Sequence, residues 1–204
     1  MNTFDVLIIG GGAAGMSCAL VLGSAKNKPF AADKTIGIIM HQKASALQNG
    51  LFNNVLGLNP GTTGQEILEE GKKQLFETYP HVVQITGDKV IEVKGDSGNF
   101  LVLTNNNQYQ AKIIVIAVGP SNLFNIEGLN QYIEPHQKLP AAKNRIQLKN
   151  IDHKIADNIY VSGVLAGWRS QFAIASGSGA SVATDILTEW NNGSPAMVHD
   201  KLVG

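Results

Sequence analysis

A chain of 204 residues, 44% of them apolar, is long enough to bury a core of its own and fits about one to one and a half ordinary domains. Sixteen Lys plus Arg balance sixteen Asp plus Glu for a formal net charge of zero, which argues against a nucleic-acid partner and against an electrostatic hold on a membrane. The one cysteine, Cys18, excludes a disulfide framework, a CxxC dithiol and a cysteine-built zinc site, and points to a reducing, cytoplasmic setting.

Residues 4–9 are a nearly continuous apolar run of strand length, closed by Gly10, Gly11 and Gly12, and 13–24 continue, apolar and small, at helix length. The uncharged stretch 6–25 fails as a signal segment because MNTFD ahead of it lacks a basic residue, and as a membrane span because glycines sit in its middle. TIGIIM at 35–40 lacks alternation and reads as a strand buried on both faces, as in a parallel sheet. These pieces make a β-α-β unit, for which a right-handed crossover is expected.

Thr63 and Glu66 have capping-box spacing, and Ile67, Leu68, Gly71, Leu75 and Phe76 share one face of a helix ending near Tyr79. Short strands are expected at 82–86, 89–94, 99–104 and 108–111, divided by GDSGN and NNN, as a small antiparallel meander. A buried strand follows over 112–118, stopped by Gly119 and Pro120. Between 121 and 157 the pattern weakens, only 145–148 hints at a strand, and the segment reads as a surface excursion. A last buried strand over 159–162, a helix within 171–190 and a loose tail from 191 complete the chain. The fold class is α/β, a doubly wound parallel sheet with the meander attached, in one domain over 1–204: an N-terminal half 1–120, the excursion 121–158, a C-terminal half 159–190 and the tail 191–204.

Glycine supplies 22 of 204 residues, about 11%, and charged residues only 16%, against averages of about 7% and about 25%, which suits a backbone that approaches a ligand closely. Gly10, Gly12 and Gly15 form GxGxxG directly after a strand and before a helix. The first glycine permits the tight turn, the second lets the backbone approach a pyrophosphate, and the third lets helix and strand pack. The pyrophosphate then lies on the helix N-terminus, over the N–H groups around Ala13 and Ala14. The acidic residue usual at the end of the second strand is absent, since that place reads Met40-His41-Gln42-Lys43. His41 or Gln42 is left to bond a ribose, Lys43 would suit the phosphate of NADP, and all three also fit a merely solvated strand end.

DVLIIGGGAAGMSCALVL, NNVLGLNPGTTGQEIL, KIIVIAVGP and NIYVSGVLAGWRSQFAIASGSGASVATDIL occur in the order found in the flavin domain of low-molecular-weight thioredoxin reductases. The chain resembles that pyridine nucleotide-disulfide oxidoreductase family, in particular its short members. The resemblance implies a Rossmann-like, FAD-binding, three-layer ββα domain. Carried over by position, Asn54 matches the asparagine of the family's N-W-P-G loop, and Val83 the strand residue whose backbone meets the adenine. Ala117, Val118 and Gly119 stand at its A-T-G turn and Gly163 at the glycine of its G-D motif. Gln171 and Phe172 stand at a helix start that brings N–H groups to the flavin ring.

Two departures stand out. The aspartate of the G-D motif, which the family uses on the ribityl chain, is Val164 here. Between Gly119 and Ile159 the chain is too short for the family's NADPH domain and has no CxxC, so it is not expected to be a thioredoxin reductase itself. Cys18 reads as a buried small residue, and Gly177-Ser178-Gly179 as close packing rather than a second phosphate loop. His81, His136, His153 and His199 read as structural or solvated, and Trp168 with Arg169 as either a cover for the ring or an exposed loop. The expected function is an FAD-dependent oxidoreductase with external donor and acceptor, the donor being NAD(P)H or a protein, with no nucleic acid, no membrane and a homodimer as the assembly. The alternatives are a non-catalytic nucleotide sensor or partner-binding subunit, and an NADP-binding protein without flavin.

Overall fold

Long apolar runs with no polar alternation can only be satisfied by burial on both faces, and in the computed structural model, which describes residues 2–41 and 45–199, they form the centre of a sheet. In chain order the first half comprises β1 (Asn2–Ile9), α1 (Ala13–Ser24), β2 (Ile36–Met40), β3 (Leu51–Phe52), β4 (Thr62–Thr63), α2 (Gly64–Thr78) and β5 (Val82–Thr86). The second half comprises β6 (Val90–Asp96), β7 (Asn99–Thr104), β8 (Gln108–Ile116), β9 (Ile133–Pro135), β10 (Ile146–Leu148), β11 (Lys154–Ala156), β12 (Ile159–Val161) and α3 (Phe172–Trp190). The main sheet runs β11-β12-β8-β1-β2-β5, with β7 also on β8 and β6 on β7. The pairs from β12 to β5 are all parallel.

One strand joins the two parts of the fold. Along one edge β8 pairs with β1 throughout. Along the other it pairs antiparallel with β7 at its start and parallel with β12 at its end. The meander strand expected at 108–111 and the buried strand expected at 112–118 are therefore a single element, which ends at Ile116. No turn residue separates Ala111 from Lys112, so nothing breaks the ladder there.

Alternation over residues 6–9 of β1 divides the core, and it slips by one at Asp5 and Val6, whose N–H groups share Thr35 O, so that Phe4 falls on the side of Leu7. Val6 and Ile8 join α1, α3 and Leu75 of α2 on the helix face. Phe4, Leu7 and Ile9 join the meander on the opposite face. The layers are thus meander, sheet and helices, and the ββα expectation holds. The segment 121–158 differs from its expectation: Ile126, Leu129 and Leu148 are buried against the meander face, and β9 pairs with β10 as a hairpin. Apolar residues spaced irregularly along a coil carry no periodic signal, although each fully buried one contributes about 1.5–3 kcal/mol. The tail also packs back, with Ala196 buried on the helix face and its N–H donating to Thr188 Oγ1 (3.2 Å).

Polar groups pin the edges. Thr63 and Glu66 complete the capping box of α2, Thr63 N–H donating to Glu66 Oε2 (2.7 Å) and Glu66 N–H to Thr63 Oγ1 (3.2 Å). Asp5 accepts from Thr35 N–H (2.8 Å), Thr35 Oγ1 (2.9 Å) and Lys112 Nζ (2.9 Å), tying β2 and β8 to β1. Burial opposes the ionisation of Asp5, but the bonds from Lys112 and Thr35 outweigh it and hold the carboxyl below its usual range.

Candidate functional site

The C-terminal ends of the parallel strands form one rim. Gly10 N–H donates to Ile39 O (2.9 Å), Ala117 N–H to Ile9 O (2.8 Å) and Ser162 N–H to Ile116 O (2.9 Å), which carries the rim from β2 to β12. In open α/β sheets ligands bind at this rim where the strand order reverses. Here that point is β1, whose chain goes on to β2 on one side while β8 lies on the other.

The glycines of the turn divide by function. Gly10 has φ +121°, and a Cβ there would lie 2.5 Å from Ala117 O, so only glycine fits. At Gly15 a Cβ would fall on the carbonyl oxygen of Gly10. Gly12 has φ −83°, open to any residue, and a Cβ there would meet nothing within 4 Å. Packing thus demands the first and third glycines but not the second. Gly12 is also the N-cap of α1, where no side chain caps the helix and the first turn holds no acidic residue. The N–H groups around Ala13 and Ala14, with the positive end of the helix dipole, are presented to that open space. This cradle fits a pyrophosphate.

The wall beyond is built by α3. A Cβ at Gly179 would fall on Ala14 O, and Gly163 N–H donates to Ser178 Oγ (2.7 Å). Gly179 therefore serves close packing of α3 on α1, as expected, whereas a Cβ at Gly177 would meet nothing within 4 Å, so packing does not require that glycine. Gln171 is the N-cap of α3, again without a side-chain cap, and Phe172 opens the helix. The Phe172 ring lies 5.5 Å from that of Phe52 in β3, which brings the loop carrying the exposed Asn54 toward the start of α3. A cavity of about 270 Å³ lies among these parts, lined by Gly12, Ala13, Leu47, Leu58, Thr62 and Phe172 with others of α1 and α2. Ala117 is buried beside Gly10, Gly119 is exposed, and His41 is half-buried directly after β2. Gln42 and Lys43 lie outside the described residues. The Ser162 hydroxyl at the rim, on a residue 1% exposed, has no partner among the described residues.

One expected residue, Val83, is placed differently. Val83 pairs with Gly37, whereas Thr86 pairs with Met40. Val83 therefore stands about 10 Å below the rim at the usual rise per residue, and Thr86 with Gly87 takes the place beside His41. Val164 is at the rim, but its carbonyl already accepts from Gly167 N–H (3.0 Å) and from His136 Nε2 (2.9 Å). With both lone pairs used, that carbonyl cannot replace the missing carboxylate toward a hydroxyl. His136, read from the sequence as structural or solvated, is buried and structural, although a lone histidine in an aperiodic segment carries no signal of what it touches. Trp168 lies between the His153 ring, 5.8 Å away and nearly parallel at 24°, and the Lys138 ammonium, 4.9 Å from its centroid.

Cys18 is fully buried, and burial pushes its thiol up, away from thiolate chemistry. Among the described residues no group of three or more His, Cys, Asp or Glu is placed to hold a metal. No helix among them is long and apolar enough to cross a membrane.

A family model for pyridine nucleotide-disulphide oxidoreductases matches residues 4–165. A ferredoxin–NADP reductase of Limosilactobacillus fermentum is 35% identical over 117 residues, 57% of this chain and 34% of that protein. One of Geobacillus kaustophilus is 24% identical over 198 residues, 97% of this chain and 54% of that protein. The chain thus spans 34–54% of the length of curated relatives it matches. A ferredoxin-flavin thioredoxin reductase from Clostridium acetobutylicum superposes with a TM-score of 0.69 at 15% identity, over 94% of this chain and 99% of that one, which shows a shared fold.

Proposed function

Because the chain belongs to the pyridine nucleotide-disulphide oxidoreductase family, we propose that it is a flavin-dependent oxidoreductase holding FAD across the rim, with electron donor and acceptor outside this chain. The observation that carries the reading is Gly12: a glycine that packing does not require, open on its Cβ side, at the uncapped N-terminus of α1. Bound FAD would supply the redox chemistry. The residues of the chain bind and orient. N–H groups around Ala13 and Ala14 take the pyrophosphate, Gly10, Gly15 and Ala117 shape the turn beneath it, and His41 with Gln42 serves the ribose. Asn54 and the N–H groups at Gln171 and Phe172 serve the ring, where donors favour the negative charge of a reduced flavin. Gly119 borders this space, and Gly163 with Val164 borders the ribityl side.

NAD(P)H or a small electron-transfer protein is the donor or acceptor to test, since the two similar reductases are named for ferredoxin and NADP. The lone Cys18 supports a cytoplasmic setting, and a homodimer is the expected assembly. Purified protein should be yellow and release FAD on denaturation. A colourless preparation that cannot be reconstituted with FAD refutes the proposal. Anaerobic NADH or NADPH that bleaches the bound flavin identifies the donor, and no bleaching directs the search to a protein. A second reading, a nucleotide-binding subunit without turnover, draws on the apolar side chain and saturated carbonyl of Val164. It predicts flavin that no donor reduces.

A further inference from the structure

The turn Gly163–Ala166, which links β12 to α3 at the rim, is closed by Gly167 N–H donating to Val164 O (3.0 Å) and has little else of its own to fix its shape. Its side chains offer no polar group, and glycines at φ +76° and φ +86° stand at its ends. It is held from both sides instead. On the helix side Gly163 N–H donates to Ser178 Oγ (2.7 Å). On the other side Asn150 Nδ2 donates to Ala166 O (3.2 Å) and Leu148 O (2.7 Å). The Gln147 amide fills the space beside Gly167. His136 completes the grip at Val164 O (2.9 Å). These residues belong to the β9–β10 hairpin and the chain that follows it. The hairpin is itself anchored by Ile146 N–H donating to Pro120 O (3.1 Å) and by fully buried Leu148.

The His136 ring is 7% exposed, and its Nδ1 accepts from Lys138 N–H (3.1 Å). A backbone N–H can only donate and a carbonyl can only accept, so Nε2 carries the proton and gives it to Val164 O. The carbonyl is drawn into the hairpin, which turns the Leu165 N–H, on the same planar trans peptide, the other way.

We propose that His136 is a positioning residue: by fixing the Val164 peptide it sets how tightly the rim grips its cofactor, so that the segment 121–158 acts as a clamp on the binding turn. The inference rests on the FAD reading above and adds to it a residue that touches no cofactor.

Two variants of the full chain test it. His136→Asn keeps an oxygen able to accept the Lys138 N–H but loses the donor to Val164 O, whereas His136→Gln keeps a donor at the length of Nε2. Without cofactor, the amides of residues 163–167 should exchange hydrogen about tenfold faster in the Asn variant than in the wild type, as expected for one buried bond lost. Its FAD dissociation constant should rise by a similar factor, with a shifted visible flavin band, and Gln should restore both. An Asn variant with wild-type exchange and wild-type FAD affinity overturns the proposal. If the Asn variant does not fold, the Gln variant carries the test alone: wild-type affinity supports the role and a tenfold loss overturns it. Wild-type protein that binds no FAD refutes the function reading instead. The exchange comparison then still decides whether His136 holds the turn.

Discussion

Gly12→Val places a branched side chain in the open space above the first turn of α1, while Gly15→Ala places one methyl against backbone. At Gly12 the extended conformation, φ −83° and ψ −168°, is one that β-branched residues adopt readily. Loss of a glycine N-cap costs about 0.5–1 kcal/mol, or at most about 4 °C in melting temperature for a chain of this size. The same side chain would stand between a pyrophosphate and the N–H groups of Ala13 and Ala14. Two charge-assisted bonds at about 1.5–3 kcal/mol each make the loss of FAD affinity about 10²–10⁴-fold. At Gly15 the new methyl meets the Gly10 carbonyl oxygen, a backbone atom held by its own turn, so the cost should reach or exceed about 3 kcal/mol and the melting temperature should fall by about 6–12 °C. Circular-dichroism melts of the flavin-free proteins, which avoid ligand stabilisation, followed by FAD titration, measure both quantities. Retained flavin in Gly12→Val, or a Gly15→Ala protein that melts with the wild type, would refute the division of labour in this loop.

Other consequences follow from buried groups. Burial works against ionisation of Asp88, yet bonds from Tyr109, Asn106, Asn107 and Thr104 outweigh it and hold the carboxyl below its usual range. The unfolded chain therefore takes up the proton first, so this stabilisation is complete above about pH 5 and is lost as pH falls through the ordinary carboxylate value toward the lower folded one. Asp88→Ala should cost about 1–3 kcal/mol near neutrality and flatten the acid limb of urea-denaturation stability; parallel limbs for the two proteins would contradict it. Ser178→Ala strands the Gly163 N–H, and a destabilisation of about 1–3 kcal/mol is expected in the same assay. Cys18 should resist thiol reagents in the native protein and react on unfolding, and rapid native labelling would show the burial to be wrong.

Where the chain speaks through period or fixed spacing, sequence and structure agree. The glycine turn, the capping box of α2 and the unbroken runs of β1 and β2 are each a local pattern with one physical solution. What escaped depends on partners far along the chain. The position of Val83 relative to the rim follows from its register with Gly37, which no local signal encodes. The union of 108–111 with 112–118 is hidden because the short meander piece and the apolar run read as two elements, and what joins them is continuous pairing with β1, where the Lys112 ammonium reaches Asp5. Ile126, Leu129 and His136 are buried by coil that follows no repeat, and only the fold reveals what they touch.

The sharing of β8 between two sets of neighbours has a consequence for the birth of the protein. Thr3 meets Gln110 and Asp5 meets Lys112, each pair 107 residues apart. Until β8 leaves the ribosome, β1 has β2 along one edge and nothing along the other, with Val6 to Ile9 presenting bare backbone and apolar side chains. Pairing over such distances slows folding, and waiting edges of this kind are where newly made chains associate. A strand in the middle of the finished sheet is thus an open edge in the nascent one until β8 reaches it.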